Sequence, residues 1–368
     1  MTFDTDVLII GGGPAGLAAA IAARRHGLSV VVAEGNHGPI DKACGEGLMP
    51  DSRAAAAEIG IQIPESLGFA FRGIRFHGAE RSVDSSFPEG HGLGVRRTAL
   101  HQVLIETAVR AGADLRWNTP VKGIDRHAVQ LKGSSVRARW IVGADGSSSR
   151  VRGWAGLGKT VRNSRRFAYR RHFAVAPWTD CMEIYWADGC QTYVTPVSAD
   201  EVCVAVISRV PGLRLDHALA RFPLLQPRLQ AAAPSSRERG AVTATMRLRQ
   251  VARGHVALIG DASGSVDAIT GEGLCLAFRQ AASLADAMAE GSLAAYQRIH
   301  PRLATRPNMM AEMMLLLDRS SWLRARALHA LASEPSLFRR LLAMHVGELS
   351  LPAFAGVSAQ LGWRLIAG

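Results

Sequence analysis

The strongest constraint on this chain lies in its first 35 residues. Residues 6–10 form a short apolar run that leads straight into Gly11-Gly12-Gly13-Pro14-Ala15-Gly16. An alanine-rich stretch over 17–25 follows, Gly27 ends it, and residues 28–33 are apolar again. Strand, helix and buried parallel strand in that order make one β-α-β unit. Gly11, Gly13 and Gly16 fall on the G-x-G-x-x-G spacing. The first glycine permits the tight turn, the second lets the backbone approach a pyrophosphate, and the third lets helix and strand pack closely. Pro14 suits the first helical turn, where its missing N–H is no loss, and Ala15 and Gly16 follow it with unpaired N–H groups. Glu34, ending the second strand, stands where a carboxylate accepts from both ribose hydroxyls of a dinucleotide.

The rest of the chain extends this start into an α/β fold. A helix is expected over 98–110, opened by Thr98 and closed by Gly112, then short strands at 114–117, 121–124, 128–132 and 136–142. Strands and turns recur over 168–208, with turns at Ala187-Asp188-Gly189 and Ser198-Ala199-Asp200. Residues 256–259 are apolar and precede a glycine-rich turn and a helix over 274–289. From 293 onward the pattern is helical, with an apolar stripe including Met313, Leu316, Leu317, Trp322, Leu328 and Leu331, expected to pack as a cap on the core. The expected architecture is a Rossmann-like dinucleotide-binding domain (1–70, 95–160 and 250–290) interleaved with an antiparallel β-sheet substrate domain (71–94 and 161–249). A C-terminal helical region (291–368) completes it.

Composition narrows the function. With 368 residues and 48% hydrophobic content the chain supports a large core and is not disordered. No apolar run approaches the roughly 18 residues of a membrane span, and the N-terminal residues are acidic rather than basic, so a soluble cytoplasmic protein is expected. Five cysteines (Cys44, Cys181, Cys190, Cys203, Cys275) form no C-x-x-C pair and no disulfide framework, and no metal site is expected. The 43 basic against 31 acidic residues give a net charge of +12, but the basic side chains are scattered arginines apart from one dense run over 162–171. That run is read as a solvated strand edge. No aromatic platform accompanies it, so nucleic acid is not an expected partner. Peripheral contact with an anionic membrane surface or an acidic carrier protein stays open, as does the oligomeric state.

Two further stretches specify the dinucleotide. Val142-Gly143-Ala144-Asp145-Gly146 and Leu258-Ile259-Gly260-Asp261-Ala262 each follow a strand. Together with the N-terminal glycines they resemble the p-hydroxybenzoate hydroxylase-like superfamily of FAD enzymes, over roughly residues 1–290. The resemblance implies FAD as bound cofactor and NAD(P)H as transient electron donor. It implies that Asp261, after Gly260, binds the ribityl chain, and that Asp145 and Gly146 lie near the pyrophosphate and the nicotinamide path. It also implies that Arg97 starts a helix and reaches the FAD, and that Gly271-Glu272-Gly273-Leu274 sits against the flavin ring.

Branch and reaction are read from the departures. Gly264 stands where aromatic hydroxylases of the superfamily carry a histidine, and Ala268-Ile269 lacks their proline. Asp41-Lys42-Ala43-Cys44-Gly45-Glu46-Gly47, with Thr270-Gly271-Glu272-Gly273, is similar to the geranylgeranyl reductase-like branch. In those reductases the cysteine lies near the isoalloxazine, which makes Cys44 and its neighbour Glu46 the candidate catalytic residues. Tyr193-Val194-Thr195-Pro196 matches the reductase substrate motif poorly. The expected activity is an NAD(P)H-consuming monooxygenase acting through a flavin C4a-hydroperoxide on a lipophilic or phenolic small molecule. The alternatives are a reductase of isoprenoid double bonds and a non-catalytic redox sensor or electron carrier.

Overall fold

A computed structural model of the protein describes residues 2–158, 160–162, 165–349 and 356. In chain order its main elements begin with β1 (Thr5–Ile10), α1 (Pro14–Arg25), β2 (Val30–Ala33), α2 (Pro50–Glu58), β3 (Gly73–His77) and β4 (Ser82–Ser86). Next come α3 (Arg97–Arg110), β5 (Asp114–Arg116), β6 (Ser135–Gly143), β7 (Arg166–Ala174), β8 (Cys181–Ala187), β9 (Cys190–Ser198), β10 (Glu201–Ser208) and β11 (Arg239–Thr243). β12 (Val256–Leu258), α4 (Gly273–Ala289), α5 (Ala294–Leu303), α6 (Thr305–Arg319), α7 (Ser321–Ser333) and α8 (Pro335–His345) complete the chain.

The fold class is the expected one, α/β with an interleaved second sheet and C-terminal helices. Five parallel strands in the order β12-β6-β1-β2-β5 form the body of the first sheet, which three short antiparallel strands extend to eight. The central strands β1 and β2 are buried on both faces, so they read as unbroken apolar runs, whereas β6 alternates before it enters the core. α1 and α4 cover one face, with Leu17, Ile21, Phe278 and Leu284 fully enclosed. β1, β6 and β12 end side by side, which brings their three following loops together at one edge, where α/β sheets bind ligands.

The second sheet runs β7-β10-β9-β8-β3-β4, with β11 added beyond β7. It is antiparallel except for one parallel pair, β3 with β8. Two expectations are corrected here. The basic run is not a solvated edge, because β7 is paired on both sides, to β10 and to β11. Strand alternation turns Arg166, Arg170 and His172 inward, and each is 1% exposed. Residues 163 and 164 of that run lie outside the described residues. The helix at 98–110 begins one residue earlier, at Arg97, and Thr98 does not cap it.

The C-terminal helices close over the face of the second sheet. Phe338 of α8 stacks on Phe76 of β3 at 5.1 Å, and Leu328, Leu331 and Leu341 are buried. The apolar stripe is only partly buried, which is the third correction: Leu316 and Trp322 stay 54% and 63% exposed. Among the described residues no helix is long and apolar enough to cross a membrane.

Candidate active site

One cavity of about 830 Å³ runs from the ends of β1, β6 and β12 across the second sheet to the C-terminal helices. At its first end the glycines divide by function. Gly11 has φ +113°, and a Cβ there would lie 2.4 Å from the Ala144 carbonyl oxygen; a Cβ at Gly16 would lie 1.9 Å from that of Gly11. These two are required by packing. A Cβ at Gly13 meets nothing within 4 Å and would project into the cavity instead. α1 starts at Pro14 with no side-chain cap, so its first N–H groups face open space, as an anion site needs.

Glu34 borders the same space. Its Oε2 accepts from Gly12 N–H at 2.8 Å, and its Oε1 accepts from the Asn36 backbone and side-chain amides, each at 2.9 Å. The carboxylate therefore joins the glycine loop to the turn after β2 while lining the cavity. His101, which sequence reading missed, braces this loop from behind. Its Nε2–H donates to the Gly12 carbonyl at 2.7 Å, and its Nδ1 accepts from Ile40 N–H at 3.0 Å. That pair of bonds fixes a neutral imidazole, and burial holds its pKa below the usual histidine value. The available signal was its position one helical turn after Arg97 on α3.

Arg97 itself lines the cavity, and its Nε is buried without a hydrogen-bond partner. Asp145 lines it too. Its Oδ2 accepts from Arg150 and Val151 N–H, at 2.7 and 3.2 Å, while its Oδ1 is buried and unpartnered. Gly146 beside it has φ +80° and open space around its missing Cβ. Asp261 is exposed to the cavity just after Gly260, whose N–H is held by Gln280 Oε1 at 2.8 Å. Behind this turn, Gln280 and Ser263 both contact Nε2 of the buried His300, at 3.1 and 2.9 Å. Gly264, the departure from the hydroxylase pattern, has a physical reason: at φ +122°, a Cβ would come within 2.7 Å of the Met246 carbonyl oxygen.

At the middle of the cavity, Gly271 (φ +71°), Gly273 and Leu274 form the wall at the uncapped start of α4. Glu272 between the glycines points the other way. It is 3% exposed and neither carboxylate oxygen is hydrogen-bonded; Arg306 of α6 and His345 of α8 lie 3.6 and 3.7 Å away. Burial raises its pKa against the pull of those two basic side chains.

Cys44 faces the cavity from the opposite wall, half-buried, with the Glu46 N–H 3.4 Å from its sulfur. The Glu46 carboxylate does not join it. Glu46 is buried at φ +60°; its Oε1 accepts from Arg97 N–H at 3.0 Å and its Oε2 pairs with His172 Nε2 at 2.6 Å. Arg170 lies 3.7 Å from Glu46 and also bonds Asp41 and the Lys42 carbonyl. Glu46, His172 and Cys203 lie close enough together to suggest metal ligation. Glu46 and His172 share a hydrogen bond through their facing atoms, and the group braces the Cys44 loop.

The far half of the cavity is apolar. Ile74, Phe76 and Met182 of the second sheet face Met310, Met314 and Leu317 of α6. Tyr193 adds its ring, while its hydroxyl donates to the Ile269 carbonyl at 2.7 Å.

A dinucleotide fits this constellation. The open cradle at Gly13, the uncapped start of α1 and the unpartnered atoms of Arg97 and Asp145 all surround one space. The family described as FAD binding domain matches residues 4–210. The chain belongs to that family. FAD is its cofactor, and NAD(P)H is the electron donor typical of the family. This flavoprotein is 28% identical over 297 residues to a digeranylgeranylglycerophospholipid reductase of Thermoplasma volcanium, covering 73% of this chain and 74% of that one. It is 28% identical over 342 residues to a menaquinone reductase of Mycolicibacterium smegmatis, covering 82% and 81%. Among solved structures it is similar to the flavin-dependent brominase Bmp2, with a TM-score of 0.80 at 20% identity, covering 93% of each chain. The flavoprotein is thus an FAD-dependent oxidoreductase of the p-hydroxybenzoate hydroxylase-like superfamily, similar to its geranylgeranyl reductase-like branch.

Proposed function

We propose that this flavoprotein is an NAD(P)H-consuming monooxygenase of a lipophilic, phenol-like small molecule. The observation that supports it best is the chamber continuous with the flavin cradle, apolar on the sheet side and on the helix side. Reduced FAD supplies either an oxygen atom taken from O2 or a hydride, and the surrounding residues decide between them. Gly11, Gly13, Glu34, Arg97, Asp145 and Asp261 bind and orient the cofactor. The uncapped N–H groups at Gly273 and Leu274 would stabilise negative charge on a flavin bound against them. Ile74, Phe76, Met182 and the α6 methionines exclude water, which oxygen transfer requires. Methionine side chains also adapt to a long, irregular apolar ligand. Tyr193 presents its ring rather than a free hydroxyl, so it holds substrate without donating to it.

A second reading, reduction of isoprenoid double bonds, is favoured by a specific observation. Both curated relatives above are reductases, aligned over about three quarters of this chain or more, and Cys44 lies on the cavity wall. In that reaction a hydride reaches one carbon and the Cys44 thiol protonates the other. The test is to reduce the FAD-loaded protein without oxygen, admit O2 with and without a long-chain alkylphenol, and follow absorbance by rapid mixing. The expected result is a transient spectrum unlike either reduced or oxidised flavin, with oxygen from isotopically labelled O2 in the product. Direct reoxidation with no labelled product, together with saturation of a polyprenyl chain under anaerobic conditions, would replace the first reading with the second.

A further inference from the structure

The mouth of the apolar chamber has a composition that neither cofactor binding nor catalysis requires. Val242 on β11 and Leu316 on α6 both line the cavity, yet they are 50% and 54% exposed. Leu323, also a lining residue, follows Trp322, which is 63% exposed at the start of α7. The rim lies between β11 and the α6–α7 turn, and a contact between Arg247 and Glu312 at 2.7 Å ties its two sides together. Isolated exposed apolar side chains are ordinary on any surface. Several that continue inward as the wall of an apolar cavity form an entrance.

The charge left unpaired around this entrance, among the described residues, is positive. Exposed Arg165 lies over the Phe167 ring, beside Val242 in the sheet, and Arg326 lies over the Trp322 ring at 5.1 Å. Arg319 ends α6, and Arg209 reaches the same helix end through Asp318 at 3.2 Å. The acids nearby are spent: Glu312 pairs with Arg247, Asp318 is buried beneath Arg166 and Arg209, and Asp188 pairs with Arg324. An apolar rim bearing an exposed tryptophan, ringed by arginines on a chain of net charge +12, is complementary to an anionic lipid bilayer. Tryptophan and leucine enter the headgroup boundary while guanidinium groups meet the phosphates.

We propose that the chamber mouth at Val242, Leu316 and Trp322 docks on an anionic membrane surface, so that a lipophilic substrate passes from lipid into the chamber without crossing water. The proposal does not depend on whether the reaction is oxygenation or reduction.

The test is co-sedimentation of the full-length, FAD-loaded protein with vesicles of phosphatidylcholine alone or phosphatidylcholine mixed with phosphatidylglycerol. The expected result is binding to the mixed vesicles that weakens with added salt, and little binding to the neutral ones. Leu316→Ser with Trp322→Ser, and separately Arg165→Glu with Arg319→Glu, should each lower the partition coefficient at least ~10-fold. Flavin content measured on the same samples shows that the variants are folded. No binding to the mixed vesicles, or variants that bind like the unmodified protein, would overturn the proposal. So would a rim that captures an acidic carrier protein while ignoring vesicles.

Discussion

The cofactor cradle and the second sheet solve opposite problems with opposite materials. The cradle is made of backbone: glycines at 11, 13, 146, 271 and 273, and helix starts at α1 and α4 that carry no side-chain cap. It leaves donors open so that a ligand can take them. The second sheet is made of buried charge. Arg166 lies 3.5 Å from Asp267 of the flavin-wall loop and 3.2 Å from Asp318 of α6, and Arg170 bonds Asp41 and lies near Glu46. Here the donors are consumed within the protein. A ligand site built from backbone needs the absence of side chains. A junction between distant segments needs long side chains with many donors, and arginine supplies five in a fixed fork.

The largest test of this contrast is within the glycine loop. Gly13→Leu should abolish FAD retention while leaving the fold intact, because its side chain enters only the cofactor's space; Cys44→Ser should retain FAD. Gly16→Ala should instead destabilise the fold itself, since its Cβ collides with backbone. Flavin absorbance per protein after gel filtration, with circular dichroism, separates the two. Flavin retained by Gly13→Leu would sink the cradle argument.

Next in size is Arg166→Met. Removing the shared cation leaves two buried carboxylates without one of their partners, so stability should fall by about 3–5 kcal/mol. Arg72→Met, at an exposed pair with Asp180 and Asp84, should cost under about 1 kcal/mol. Denaturant midpoints decide. Equal effects would mean that burial of the β7 arginines is not what joins the three segments.

A smaller effect is read from pH. Burial lowers the pKa of His300 to about 4, against about 6.5 unfolded. The unfolded chain therefore binds the extra proton, and the contribution is complete above the unfolded value and lost as pH falls toward 4. Between about pH 7 and pH 4.5 the loss from this one residue is about 2–3 kcal/mol. His300→Gln, which keeps a polar partner for Gln280 and Ser263, should reduce the acid sensitivity by that amount in denaturation at the two pH values. An unchanged sensitivity would place the relevant titration elsewhere.

The cradle was legible from sequence because each of its residues acts through its own position. Gly11 and Gly16 meet their neighbours through spacing alone, and Glu34 follows a strand end at a set distance. The brace around Glu46 was not legible. Glu46, Arg97 and the Arg170–His172 pair come from three separate stretches, and only the pairing of β7 with β10 and β11 on either side turns the arginines inward. Read locally, a run of arginines looks like a solvated edge, because local composition does not say whether a strand has one neighbour or two. His101 falls between these cases. Its helical phase with Arg97 was visible, but the Gly12 carbonyl and Ile40 amide that define its role come from loops. Trp322 and Leu316 fit an inward stripe by periodicity, and it is the opening of the chamber that leaves them outside.

Glu272 gives the flavoprotein an internal gauge. It sits between the two glycines of the cavity wall, while the basic side chains nearest it, Arg306 and His345, ride on α6 and α8. A substrate that displaced those helices would change the electric field across a flavin bound there without touching the ring. The colour of the cofactor would then report on the occupancy of the chamber, and ligands could be ranked by titrating them against the oxidised protein before any turnover is known.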